Sequence, residues 1–158
     1  MTVIGKDCVL GYDAIANWAS PSLAAVPNAV DVSQPGISKT AIDLPSRGTG
    51  GWNPKGAGLK SMDLSFGYLC DAGDDAVLNA LRGSYINDTV MQFAVLDGPI
   101  AGIAGRVVQG FRFPGIVMEF PIDEQLEDGR RIEIKVEFAR HKLAGVLLLP
   151  VWMVLTAL

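Results

Sequence analysis

Two stretches of strict two-residue alternation decide what this chain can fold into. From Ser61 to Tyr68, the apolar Met62, Leu64, Phe66 and Tyr68 are interleaved with Ser61, Asp63, Ser65 and Gly67. From Arg131 to Arg140, Ile132, Ile134, Val136 and Phe138 are interleaved with Arg131, Glu133, Lys135, Glu137 and Ala139. Side chains of a strand point alternately to the two sides of a sheet, so each stretch offers one apolar and one polar face. The reading is a half-buried sheet. The expected fold class is mainly β, a sandwich or barrel of antiparallel strands with one flanking α-helix over about 74–84.

Further strands are expected around Cys8–Leu10, over Gly36–Leu44 between two prolines, and over Val90–Leu96 with Met91, Phe93 and Val95 on one side. Ile103–Phe113 and Gly115–Ile122 read as two strands broken at Pro114-Gly115. Glu124–Gly129 reads as an acidic loop closing in the turn pair Asp128-Gly129. The helix opens at Asp74-Asp75, where carboxylates suit free N–H groups and the positive dipole end. Val77, Leu78 and Leu81 form its apolar stripe and dock it on the sheet, and Gly83 ends it. Residues 21–36 are rich in Pro, Ala, Ser and Asn and read as loop, with Ala29–Val32 extended.

At 158 residues the chain is read as one domain, 1–158, able to bury a real core. Charged residues make up 19% against 49% hydrophobic, too few to coat a free monomer, so a partner or a membrane is expected to cover part of the surface. The formal charge of −4 argues against a protein that holds nucleic acid, which needs Lys and Arg to neutralise phosphates. Cys8 and Cys70 lack metal or redox spacing and read as two thiols. The first residues show no basic stretch followed by an apolar run, so a signal peptide is not expected.

Three features invite a chemical reading, and each has a simpler one. The glycine-rich segment Arg47–Gly58 has Gly51 and Gly56 at phosphate-loop spacing, but Ala57 stands where the lysine belongs and a strand follows instead of a helix. It reads as a long interaction loop with Trp52 as its apolar anchor and Arg47, Asn53, Pro54 and Lys55 beside it. Asp123, Glu124, Glu127 and Asp128 lack the calcium-loop pattern and read as a solvated acidic turn. His141, the sole histidine, has no acid or cysteine partner nearby, and Ser61 and Ser65 have no nucleophile elbow around them. No catalytic residue, metal site or cofactor is expected.

From Leu143 to Leu158 only Gly145, Pro150 and Thr156 interrupt an apolar run. As a helix of 16 residues it would span about 24 Å, short of a bilayer core of about 30 Å, and Pro150 would break it. Packing against protein, with Trp152 and Val154 buried in the subunit or in a neighbour, is preferred over a membrane anchor.

The order of these segments carries a resemblance. Thr40–Arg47 entering the glycine-rich loop, Gly51-Trp-Asn-Pro54, and Gly58-Leu-Lys-Ser-Met-Asp-Leu-Ser-Phe66 leaving it resemble the tail tube (major tail) proteins of long-tailed bacteriophages. That family is related to the inner-tube proteins of type VI secretion. The helix after the alternating strand and the final alternating strand match the same order over roughly 110 residues, while the apolar segment 143–158 departs from it. The resemblance implies a self-assembling subunit of stacked, hexameric rings in the virion tail, made in the host cytoplasm. Its partners would be further copies, other tail proteins, and DNA that passes the lumen without specific binding. Another ring component (baseplate, terminator or type VI-like tube) and a membrane-anchored β-domain are the alternatives.

Overall fold

A computed structural model describes residues 9–27, 29–33, 36–43, 55–70, 76–99, 105–125 and 129–156. In chain order they form β1 (Val9–Ala14), a 3-10 turn (Ile15–Asn17), β2 (Ala24–Ala25), β3 (Ala29–Val30), β4 (Gly36–Asp43) and β5 (Lys55–Cys70). Helix α1 (Ala76–Asn87) follows, then β6 (Met91–Leu96), β7 (Val107–Glu119), β8 (Ile122–Gln125) and β9 (Gly129–Phe138). The chain closes with β10 (Lys142–Leu143), β11 (Val146–Leu147) and β12 (Val151–Thr156). All but β10 and β11 belong to one antiparallel sheet, curled into a half-barrel with α1 on its flank. Its path is β2-β1-β6-β7-β9-β5-β3, with β12 beside β7, β4 beside β5 and β8 beside β9.

The two alternating stretches become neighbours. Leu64 stands opposite Val136, Phe66 opposite Ile134 and Tyr68 opposite Ile132, and all six are buried. A slip of one residue would turn the whole set outward, each large side chain contributing ~1.5–3 kcal/mol when buried. The register is therefore held by the pattern itself.

Strand β6 departs from the expected one-sided pattern, because all six of its residues are buried. Met91, Phe93 and Val95 join the main core with Leu10, Phe113 and Leu81, while Ala94 and Leu96 face a second cluster with Val108 and Met153. The segment after β1 packs over that second face, with Leu23 on the cluster. Polar ties hold this strap down. The Asp13 carboxylate accepts from the backbone N–H of Ala14 and Ser22, and the buried Gln92 donates to the Ala14 carbonyl at 2.9 Å. Arg112 lies 4.1 Å over the Trp18 ring and donates to the Trp18 carbonyl at 2.8 Å. Burial lowers the pKa of Arg112 from its ordinary value.

Several sequence expectations are corrected. The break at Pro114-Gly115 is not a break, since β7 runs through it as one strand. Backbone N and O of a strand residue point to the same side, and the Pro114 oxygen accepts from Ala139 N–H at 3.1 Å. The missing proline donor thus falls at a seam, where the partner of β7 changes from β12, last paired at Arg112, to β9, first paired at Gly115. No ladder bond to β6 is lost there. The acidic loop 124–129 starts later than expected, because Ile122–Gln125 pair with Gly129–Ile132 as β8.

The helix runs from Ala76 to Asn87, past Gly83, which sits inside it with open space around it. The terminator is Asp88, at φ 52°, followed by Thr89 N–H donating to the Ser84 carbonyl at 3.2 Å. The buried Ser84 hydroxyl donates to the Thr89 carbonyl and accepts from Val117 N–H, fixing the helix end to β7. Leu81 is fully buried, and Val77 and Leu78 are partly buried against the core. Asp71, Asp74 and Asp75 lie outside the described residues, as do Cys8 and the side chain of Cys70.

Candidate assembly interface

The C-terminal apolar segment folds into short strands, not a helix. Leu143 and Val146 pair across the turn Ala144-Gly145, whose φ values are 51° and 80°, and β12 then adds to β7. The described part of the molecule contains no helix long and apolar enough to cross a membrane. Alternation along β12 buries Met153 in the second cluster and turns Trp152 and Val154 to the other side. Within the single chain these two are 54% and 57% exposed, so the subunit itself does not bury them. Val146, Leu147, Leu149 and Val151 are exposed as well, which gathers apolar surface in one stretch of chain.

Trp152 is nevertheless held in place. Its ring meets Phe111 edge to face, and its indole N–H donates to Gln109 Oε1 at 3.3 Å. An aromatic side chain fixed before a partner arrives loses little freedom on binding. The sequence singles out Trp152 but carries no sign of its contacts with Phe111 and Gln109. Their role follows from the pairing of β12 with β7, a long-range contact with no local signal.

The second surface is an arm. Residues 55–62 of β5 pair with β4 alone, because β9 pairs only from Asp63 onward, and every residue of β4 is exposed. The loop expected over 47–58 is thus shorter than its sequence indicates: Lys55–Gly58 are already strand, and Lys55 pairs with Asp43. Arg47, Trp52, Asn53 and Pro54 lie outside the described residues.

The third surface is the polar side of β5 and β9. Arg131 reaches Glu133 at 2.5 Å and Asp31 at 3.1 Å, and Lys135 reaches Glu137 at 3.4 Å. The hydrogen bonds to Glu133 and then Asp31 raise the Arg131 pKa from its ordinary value. Asp63 stands opposite Glu137 on the same side, and Glu119 stands opposite Lys135. Among the described residues carboxylates outnumber cations on this face, and its exposed ion pairs contribute little to stability.

The residues considered for chemistry take simple partners. The Ser61 hydroxyl shares a hydrogen bond with Ser38 at 2.6 Å, and Ser65 does so with Ser33 at 3.0 Å, so neither faces a base. The His141 carbonyl accepts from Leu148 N–H at 2.9 Å as part of the β10–β11 hairpin. Among the described residues no group of three or more His, Cys, Asp and Glu could hold a metal ion.

No protein-family profile and no curated protein sequence matches the chain. Solved structures do. A chain from the C6-symmetric tail of an empty gene transfer agent particle superposes with a TM-score of 0.67 at 17% identity, over 92% of this chain and 97% of that one. A chain of the SPP1 tail tube gives 0.66 at 15% identity, over 96% and 78%. A chain of the sheath–tube complex of an extracellular contractile injection system in its extended state gives 0.62 at 12% identity, over 99% and 93%. At these identities the likeness is one of fold.

Proposed function

We propose that this chain is a structural subunit that assembles with further copies into stacked rings, hexameric as in a phage or phage-like tail tube, around a channel that DNA traverses. The observation that carries this reading is the preorganised yet uncovered apolar surface of β12, centred on Trp152, on a sheet with open edges. Uncovered apolar surface of this kind calls for a protein partner. Open edges draw other chains to them, and ring closure by identical copies satisfies both demands. The net-acidic side of β5 and β9 suits a lumen wall, since it repels a phosphate backbone weakly and gives it nothing to hold. On this reading the chain is one tail-tube-like domain that needs no catalysis or cofactor. It is made in the host cytoplasm and ends in the virion tail beside other tail proteins, with the glycine-rich segment Arg47–Gly58 at a subunit contact.

Negative-stain imaging of the purified chain, with its mass in solution, tests this reading. Tubes or stacked rings are expected, and a chain that stays monomeric at every concentration overturns it. A second reading, a component of a contractile injection apparatus, is favoured by the fold likeness to the sheath–tube complex chain. Single rings that never stack would point instead to a baseplate or terminator part.

A further inference from the structure

At the C-terminal end of β9 the sheet opens into a groove. It lies between the β4–β5 arm and the run into β12, has a volume of about 420 Å³, and is lined by Ile37, Met62, Phe111, Phe138, Leu149 and Pro150. Lys39 and Lys60 line it too, and they stand directly opposite each other across β4 and β5. Like charges in direct cross-strand opposition destabilise a sheet unless something compensates them. Nothing in the described part of the chain does. The five described ion pairs involve Lys55, Arg131 and Lys135, and no described carboxylate lies within ion-pair distance of Lys39 or Lys60. Lys60 also lines the adjoining cleft with Asp63 and Glu137, but it makes no ion pair with either, and Glu137 is engaged by Lys135.

An apolar floor with two unmatched cations at its rim fits an occupant that is both apolar and acidic. The same chain carries one. The hairpin of β8 and β9 pairs Gln125 with Gly129 at the far end of β9. Although Asp123 and Glu124 stand opposite Arg131 and Arg130, the sequence 122–131 is net acidic, with Asp123, Glu124, Glu127 and Asp128 against two arginines. Groove and hairpin thus sit at opposite ends of one ten-residue strand, about 30 Å apart along it at 3.3 Å per residue. A chain with complementary surfaces at its two ends makes head-to-tail contacts that repeat from copy to copy. We infer that the lysine-rimmed groove of one copy receives the acidic β8–β9 hairpin of the next. The inference rests on the reading of the chain as a self-assembling subunit and gives that assembly a direction. Nucleic acid is the poorer occupant, because a phosphate backbone has no use for an apolar floor.

Charge exchange tests the contact on the full chain by sedimentation velocity over a concentration series. Lys39→Glu with Lys60→Glu is expected to raise the concentration needed for assembly by roughly tenfold or more, and Asp123→Lys with Glu124→Lys to do the same. Mixing the two double variants, or combining all four changes in one chain, restores assembly, because every contact between groove and hairpin regains opposite charges. Wild-type assembly weakens between about 0.05 M and about 1 M salt. Lys39→Gln with Lys60→Gln, a milder change, shows a smaller shift in the same direction, and thermal melting confirms that each variant is folded. Folded lysine variants that assemble like wild type, or an exchange that fails to restore assembly, overturn the contact and leave the proposed function standing. A wild-type chain that stays monomeric overturns both.

Discussion

The indole of Trp152 meets the ring of Phe111 edge to face, with centroids 4.9 Å apart and planes 88° apart. Phe111 packs on the main core, so the exposed tryptophan is anchored from beneath while its outer surface stays free. Aromatic pairs of this geometry contribute ~0.5–1.5 kcal/mol beyond area burial. Trp152→Ala is expected to lower the melting temperature by only a few degrees. Assembly is expected to suffer far more, with a rise of at least about tenfold in the concentration at which oligomers form. Light scattering beside a melting curve separates the two effects. Unchanged assembly would remove Trp152 from the interface.

Leu81 is fully enclosed between α1 and the sheet, with Phe93, Phe113 and Val117 in the same core. Leu81→Asp buries a charge without a partner and costs several kcal/mol, a large share of a stability of about 5–15 kcal/mol. Insoluble or non-cooperatively melting protein is expected. Soluble expression with a wild-type melt would contradict the docking of the helix.

Two glycines are expected to respond in opposite ways. Gly83 lies inside α1 with nothing near the position of an added methyl, so Gly83→Ala stabilises by ~1 kcal/mol through helix propensity alone. At Gly110, opposite Leu96, a methyl would overlap the Val95 carbonyl oxygen. That neighbour is backbone of a strand buried on both sides and cannot give way. Gly110→Ala is expected to lose several degrees of melting temperature or fail to fold. Urea titration of both variants measures the contrast.

Removing residues 143–158 takes away β12 and with it Met153, the cover of Val108 on the second face. Apolar surface is then bare on both sides of β7. Aggregation, or loss of all assembly, is expected in size-exclusion chromatography of the truncated chain. An intact tube would show that the segment is dispensable.

The alternation of Met62–Tyr68 and Ile132–Phe138 was legible without coordinates, because a period of two is local and leaves each strand a single buried face. The stripe Val77, Leu78, Leu81 was legible for the same reason, although its end was misplaced. Gly83 signals a helix stop only when it falls at the last turn, and here the buried Ser84 pulls the chain on to Asp88. Three matters were settled by tertiary structure alone. Met91–Leu96 lie buried on both faces because β1 and β7 flank them and a strap covers the second side. Pro114 continues a strand because its absent donor falls where β12 gives way to β9. Trp152 and Val154 face outward because β12 pairs with a strand some forty residues earlier, as with Trp152 opposite Phe111, and that register sends Met153 inward in their place. An apolar run states only that burial is needed. Which side chains the subunit buries, and which it leaves for a partner, depends on contacts between residues far apart in sequence.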